Sequence, residues 1–406
     1  LKLQGKHGVA AWDAAMKAAV HAGTPSVAHL DTLGRPFLTI AHNGWNDADQ
    51  PQLYETRVEQ DIEEQPLSIT DARGNKVMIY GRFSRSSAGE VTLQTRGYDL
   101  LGNSLFTHSM DAGDRWILNN VAGNPIRGWD SRGHQLRYTY DALQRPVGLY
   151  VLGGNDHNTE ILAEATVYGE QLPNPAERNL RGQVYQMFDA AGVVTSEAYD
   201  FKGNLLRGHR RLAREYRQRM DWNQPEPGLA SLIEGVTTIK IADLEAAIKP
   251  YLEASPQYQD RGATAAAEPE QFTTATTYDA LNRPTAITSP DSSVTQPIYN
   301  EANLLEGMAV QIRGAAATTT LVTNIDYDAK GQRTRIEYGN GVSTTYTYDP
   351  DTFRLTKLLT LRDETHRQRK LQDLQYTYNP VGNITQIRDQ AQPEMYYRNQ
   401  LVTAQS

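Results

Sequence analysis

The chain has 406 residues, no cysteine and a formal net charge of −8. The lack of thiols excludes disulfides, thiolate metal sites and cysteine nucleophiles, and the acidic balance argues against nucleic acid or an anionic membrane as main partner, since both reward clustered Lys and Arg. Only 39% of residues are hydrophobic, yet 22 are Tyr against 7 Phe, which suits thin sheets whose half-buried faces hold Tyr rings while the hydroxyls reach water.

In chain order, Leu1-Lys2-Leu3-Gln4-Gly5 has no signal-peptide core and no starting Met, so the chain reads as a fragment. No apolar stretch approaches the roughly 20 residues needed to span a bilayer. Ala10 to Ala22 reads as a helix, with Ala11, Ala14, Ala15, Ala18, Ala19 and Ala22 at helical spacing and Gly23-Thr24-Pro25 ending it. This N-terminal helical segment is assigned to residues 1–25.

From there a short unit recurs: an aromatic, Asp, two variable residues, Gly, then Asn or Arg, often followed by Pro or Leu. Over 26–207 its copies open at Asp31 (with Gly34), Asp61, Asp71 (with Gly74), Tyr98-Asp99 (with Gly102), Asn120, Asp130, Tyr140-Asp141, Asp189 and Tyr199-Asp200 (with Gly203). Over 273–406 they open at Tyr278-Asp279, Tyr299-Asn300, Tyr327-Asp328 (with Gly331), Tyr348-Asp349 and Tyr378-Asn379 (with Gly382). Asp61 to Asp71 and Asp130 to Asp141 are 10 and 11 residues apart, and Asp328 to Asp349 is 21, with Gly339-Asn340-Gly341 at the midpoint. About ten residues is one strand plus one tight turn. Asp or Asn opening the turn accepts a hydrogen bond from the backbone two residues on, and Gly or Asn three residues on tolerates the positive φ of a tight hairpin. Gln144 tolerates it less well, so that turn is expected to be of a different type. Flanks such as Thr344-Thr345-Tyr346-Thr347-Tyr348 alternate at the period of a strand. The expected fold is an all-β antiparallel meander.

Residues 208–272 break the period. Arg210 to Met220 reads as a basic helix with a solvated face, and Ala242 to Ala254 as a second helix, with Asp243 as its cap, Leu244, Ala247, Ile248 and Tyr251 on its apolar face and a kink or early stop at Pro250. Good repeats flank this insertion at Asp200 and Asp279, so it is expected to be dispensable for the sheet.

No catalytic, cofactor or metal site emerges. The Asp residues share one turn position, which explains them structurally. Asn46-Asp47-Ala48-Asp49 lacks the later Gly and Glu of a calcium loop and reads as an exposed turn. The nine His show no metal spacing, and no nucleophile elbow, P-loop or dinucleotide fingerprint is present.

The repeat resembles that of the Rhs/YD-repeat family. Longer stretches, such as His29-Leu30-Asp31-Thr32-Leu33-Gly34-Arg35-Pro36, Tyr299-Asn300-Glu301-Ala302-Asn303-Leu304-Leu305-Glu306 and Ile336-Glu337-Tyr338-Gly339-Asn340-Gly341, resemble most closely the B component of bacterial insecticidal toxin complexes (Tc toxins). The resemblance implies a strip of β-sheet that spirals into a hollow cocoon around an unfolded cytotoxic polypeptide. It implies as partners a C-component Rhs protein, or a C-terminal continuation, carrying the toxin. It also implies a channel-forming A component, reached through upstream regions this sequence lacks. Nucleic acid and direct membrane insertion are not expected. A secreted or cell-associated bacterial complex, made in the cytoplasm, is the implied location. The alternative is a YD shell for cell-surface adhesion, with Trp45, Trp116 and Trp129 stacking on glycans.

Overall fold

The computed structural model describes residues 12–19, 22–88, 91–154, 158–213, 219–224, 228–252, 271–364, 367–379, 381–392, 395–397 and 400–402. It divides into two compact units, Pro25–Thr274 and, with Leu1–Thr24, Ala275–Ser406. Residues 12–19 are helical and group with the second unit.

The first unit is an antiparallel meander. Strands Ser26–Leu30, Pro36–Trp45, Pro51–Gln60, Pro66–Thr70 and Lys76–Ile79 pair in sequence order. The chain then leaves for a separate ribbon, Gly81–Arg85 with Val91–Arg96. It returns as Phe106–Ser109, which pairs with Lys76–Ile79. The meander resumes through Gly113–Asn119, Pro125–Asp130, Gln135–Tyr140, Pro146–Leu152, Ile161–Tyr168, Val184–Asp189, Gly192–Tyr199 and Leu205–Leu212. The second unit repeats the plan from Gln271–Tyr278, whose first residues lie before the unit boundary, to Ile384–Asp389.

A bulge recurs beside the turns. Tyr140 opposes Pro146 while Thr139 opposes Gly148, so Val147 is the extra residue. The same slip separates Thr277 from Tyr278, Asp326 from Tyr327 and Thr377 from Tyr378. Such bulges add twist, and Pro at the first strand position forfeits no ladder bond where the ladder is already interrupted.

Most strand side chains are only half-buried, but one part of the first unit has a true core. Leu162, Val167, Phe188 and Val193 of the sheet and Leu172 and Leu180 of the 169–183 connection pack with Trp222, Leu229, Ile233, Leu244 and Ile248. The last five all come from the segment after Leu205–Leu212. Backbone bonds lock it on as well: Trp222 N–H donates to the Leu162 carbonyl, and Leu162 N–H to Asp221 Oδ1 (3.0 Å).

Several sequence expectations are corrected here. Gly208 lies inside the strand Leu205–Leu212, so the interruption begins after Leu212, not at 208. Arg210 and Arg211 are strand residues, not the start of a helix, and each is held by an acid, Arg210 by one across the sheet and Arg211 by one on the helix Ile241–Leu252. Arg210 Nη2 meets Asp189 Oδ1 at 2.6 Å, and the buried Arg211 forms a bidentate pair with Glu245 (2.6 and 3.0 Å). Arg214 and Arg217 fall outside the described residues. Pro250 does not shorten the helix to a stop before it: the helix runs Ile241–Leu252 with Pro250 inside it. It sits in the last turn, where one missing N–H is outweighed by burial of Leu244, Ile248, Tyr251 and Leu252. The segment also covers the apolar sheet residues Leu162, Val167, Phe188 and Val193, which argues against its being dispensable for the sheet.

Candidate functional site: a ladder of turns along the sheet edges

Each repeat turn is organised by its opening residue. At the first, Asp31 Oδ1 accepts from Leu33 N–H (2.8 Å) and Arg35 N–H (3.0 Å). The Asp31 N–H donates to the Arg35 carbonyl and Gly34 N–H to the Asp31 carbonyl. The same pair of side-chain bonds forms at Asp61, Asp71, Asp99, Asn120, Asp130, Asp141, Asp200, Asp279, Asn300 and Asp328. Asn379 keeps the second of these bonds, to Asn383 N–H. Asn46 makes both, to Ala48 and Gln50, so Asn46-Asp47-Ala48-Asp49 is one more copy of this turn. Asp189 differs: it pairs directly with Gly192 across a two-residue hairpin.

The residue after the Gly supplies the third element. Asn75, Asn103 and Asn204 donate their side-chain amides to the other oxygen of Asp71, Asp99 and Asp200. Arg35, Arg145 and Arg283 place guanidinium nitrogens there at 2.6 Å from Asp31, Asp141 and Asp279. One carboxylate thus ties two backbone N–H groups and a side chain. These bonds favour the ionised form, so the carboxyls sit below their ordinary value. In Asp31, Asp71 and Asp279 the leading cause is the backbone N–H four residues on. In Asp99 and Asp200 it is the Asn side chain.

At the fourth turn position φ is positive in Gly34 (+82°), Gly102 (+84°), Gly203 (+87°), Gly331 (+78°) and Gly382 (+100°). Asn282 (+63°), Asn303 (+70°) and also Gln144 (+63°) take the same conformation. The Gln144 turn is therefore not of a different type; its Asp141 and Arg145 contacts are those of the others.

In five of these repeats the Tyr before the turn Asp or Asn sends its hydroxyl to a backbone carbonyl and not to water. Tyr140 donates to the Pro125 carbonyl (2.6 Å), Tyr199 to Val184 (2.9 Å), Tyr327 to Leu305 (2.6 Å), Tyr348 to Arg333 (2.9 Å) and Tyr378 to Leu355 (2.7 Å). Each acceptor is the first residue of an earlier strand rising from the same edge. The phenol thus clips one turn to the previous one. Arg145 stacks over the Tyr168 ring (3.8 Å), and Arg354 donates to the Asn379 carbonyl (3.2 Å). The sequence motif shows only the Tyr-Asp dipeptide, because the acceptor lies on a strand 15 or more residues away.

The other candidates are structural or scattered. Trp116 and Trp129 face each other across paired strands and, with Phe106, line a cleft of about 450 Å³. Trp45 is not there; it packs edge-on against His42. Among the described residues no group of His, Asp and Glu is placed to hold a metal ion.

No protein-family model matches the chain. Two curated relatives from Yersinia entomophaga, the toxin subunits YenC2 and YenC1, are each 26% identical to it over 94% and 96% of the chain. The chain spans 37% and 36% of their lengths. Among solved structures, the crystal structure of TcdB2-TccC3 superposes with a TM-score of 0.75 at 23% identity, covering 97% of this chain and 17% of that one. Its fold is the Rhs shell fold of Tc toxins. The Photorhabdus luminescens Tc holotoxin pore gives a TM-score of 0.72 at 23% identity, over 95% of this chain and 16% of that one. The resemblance of the repeat to the Rhs/YD-repeat family of toxin complexes is thereby borne out. In this chain the turn ladder, not a pocket, is the feature on which most repeats converge.

Proposed function

We propose that the chain is a passive wall segment of a toxin-complex shell, closed around an unfolded cytotoxic polypeptide before delivery. The observation that carries this is the ladder itself. Tyr, Asp, Gly and Asn or Arg are consumed in bracing one turn to the next, which makes a rigid strip and, among the described residues, leaves these side chains engaged in structure rather than gathered as nucleophile, base and oxyanion donors. The match to TcdB2-TccC3 over nearly the whole chain supports the same reading. The turn residues named above are its structural determinants, and the expected partners are a YD-repeat continuation or a second Rhs protein carrying the toxin, then a channel-forming component.

The test is protease protection. Isolated natively from its source, the protein should bring with it a polypeptide that survives protease while the shell is folded and is digested once it is unfolded. A natural assembly with no such polypeptide would overturn the proposal. So would turnover of a peptide, glycoside or phosphoester that a single substitution abolishes.

A second reading has one observation in its favour. Trp116, Trp129 and Phe106 form a half-open aromatic cleft, and Tyr138 and His134 line it too; such surfaces stack on sugar rings. Glycan-array binding lost in Trp129→Ala would favour an adhesion module over a toxin shell.

A further inference from the structure

A hollow in the second unit leaves its polar groups unused. It lies on one face of the strands Arg333–Tyr338, Val342–Tyr348, Leu355–Glu364 and Arg367–Tyr378. Ile336 stands opposite Thr344, Thr344 opposite Thr360 and Thr360 opposite Gln372, so these residues share that face. Two residues to either side of the Thr pair, Tyr346 stands opposite Leu358 and Val342 opposite Arg362. The hollow measures about 380 Å³, and Tyr338 and Asn340 line it as well. Its floor is buried in a sheet that is elsewhere half-exposed: Thr344 is 4% and Val342 8% accessible.

In the turn ladder, Tyr hydroxyls, Asn amides and guanidinium groups meet partners. In the hollow, the Tyr338 and Tyr346 hydroxyls and the exposed Arg362 guanidinium have no hydrogen-bond or ion-pair partner among the described residues. Burial first, and the neighbouring Tyr338 phenol second, raise the Tyr346 phenol above its ordinary value. Asn340 Oδ1 accepts from Val342 N–H (3.2 Å), which leaves its amide nitrogen to donate. The Thr344 and Thr360 hydroxyls lie 3.0 Å apart, so one proton joins them and the other remains to donate. The opposite face of the same strands satisfies its own charges. There Arg335 pairs with Glu337 (2.7 Å), and Lys357 and Lys370 hold the buried Asp373 (3.1 and 2.6 Å). Among the described residues no carboxylate lines the hollow, and Arg369 stands opposite Arg362 on its face.

These groups define a ligand. A cation with no acid beside it fits an anionic group, and a planar guanidinium takes a carboxylate in two parallel bonds. Donors on Tyr338, Asn340, Tyr346 and the Thr pair suit several hydroxyl or ring oxygens close to that charge. Leu358, Val342 and the two Tyr rings offer apolar surface to a sugar ring. The volume lies in the range of small-ligand sites, about 300–1,000 Å³. We propose that this hollow binds a carboxylated sugar, a uronic or sialic acid, with its carboxylate on Arg362 and its ring over the Thr344–Thr360 pair. The site goes beyond the shell reading and is separate from the cleft at Trp116 and Trp129. Its test involves no cargo, so its failure leaves the protease-protection result standing.

Calorimetric titration and saturation-transfer NMR of the full chain test it, with D-glucuronate and N-acetylneuraminate as probes and D-glucose as the uncharged control. At least one of the two acids should bind saturably, with glucose weaker by about tenfold or more. Arg362→Gln should weaken binding by about tenfold or more, and Tyr346→Ala should weaken it as well. Arg335→Gln on the opposite face and Trp129→Ala in the other cleft should keep the wild-type affinity. Arg362 and Arg335 are both exposed, so both Gln variants should keep the wild-type unfolding midpoint and the comparison is free of folding effects. The absence of saturable binding of either acid overturns the site, and so does glucose binding as tightly as they do. An equal loss in Arg335→Gln overturns it too. Acetate or inorganic phosphate binding as tightly as the acids would mark a general anion site and overturn the sugar assignment. A loss confined to Trp129→Ala would place the sugar in the other cleft and overturn this one.

Discussion

At the residue scale, the turn separates backbone strain from side-chain space. A Cβ on Gly331 would meet only Leu304 Cδ1, at 3.8 Å, so a substitution there is not sterically blocked. What a side chain pays is the left-handed conformation at φ +78°, about 1–2 kcal/mol for an ordinary residue and less for Asn. Gly331→Val should therefore lower the denaturant midpoint well below that of Gly331→Asn at constant slope. Equal midpoints would show that the backbone there is not left-handed. The Tyr clip is tested separately. Tyr327→Phe keeps the ring and removes only the donor to the Leu305 carbonyl (2.6 Å), and should cost about 1 kcal/mol. No loss would mean that the hydroxyl exchanges freely with water.

At the scale of elements, the segment after Leu212 is both an interruption and a lid. Its period is wrong for the meander, yet Trp222 is fully buried against Phe188 (ring centroids 5.2 Å) and Tyr251 (4.8 Å). Tyr150 of the sheet donates to Glu234 Oε1 (2.6 Å), and Arg211 joins the helix through Glu245. Trp222→Ala should destabilise the first unit by about 3–5 kcal/mol, the usual cost of emptying such a site. A shift below about 1 kcal/mol in its unfolding would mean that the segment is an appendage after all.

At the scale of the whole molecule, many weak terms of one sign add up. The carboxyls of Asp31, Asp71, Asp99, Asp200 and Asp279 are depressed below their ordinary 3.8 in the folded state. Below that value the unfolded chain binds more protons. Their stabilisation is thus present above the ordinary value and is lost as pH falls through the depressed ones. Unfolding midpoints should be level from neutrality down to about pH 5 and then decline steeply. A midpoint unchanged into strong acid would remove the turn carboxylates from the account, and an Asp279→Asn variant should show a slightly shallower acid limb. The phenols act at the other end. Burial pushes Tyr98 from 10.0 to about 12, a raised folded value, so its contribution is full below the ordinary value and fades as pH climbs through the higher one.

Much of this architecture was legible from the chain alone, because it is local. A turn opened by Asp31 or Asp328 is closed by residues two to four places on, so residue type and spacing together specify the hairpin, its register and the meander. Asn46 escaped the pattern because it has Asp49 (φ +59°) where Gly is usual, and Gln144 misled for the same reason: a polar residue can hold positive φ when the surrounding bonds over-determine it. The tertiary structure alone decided what lies far apart in sequence. The Tyr hydroxyls find carbonyls on earlier strands, and Arg210 and Arg211 find acids on another strand and on the helix Ile241–Leu252 instead of solvent. The segment after Leu212 becomes the core of the first unit because apolar sheet residues near Phe188 need a cover that the strip itself cannot provide.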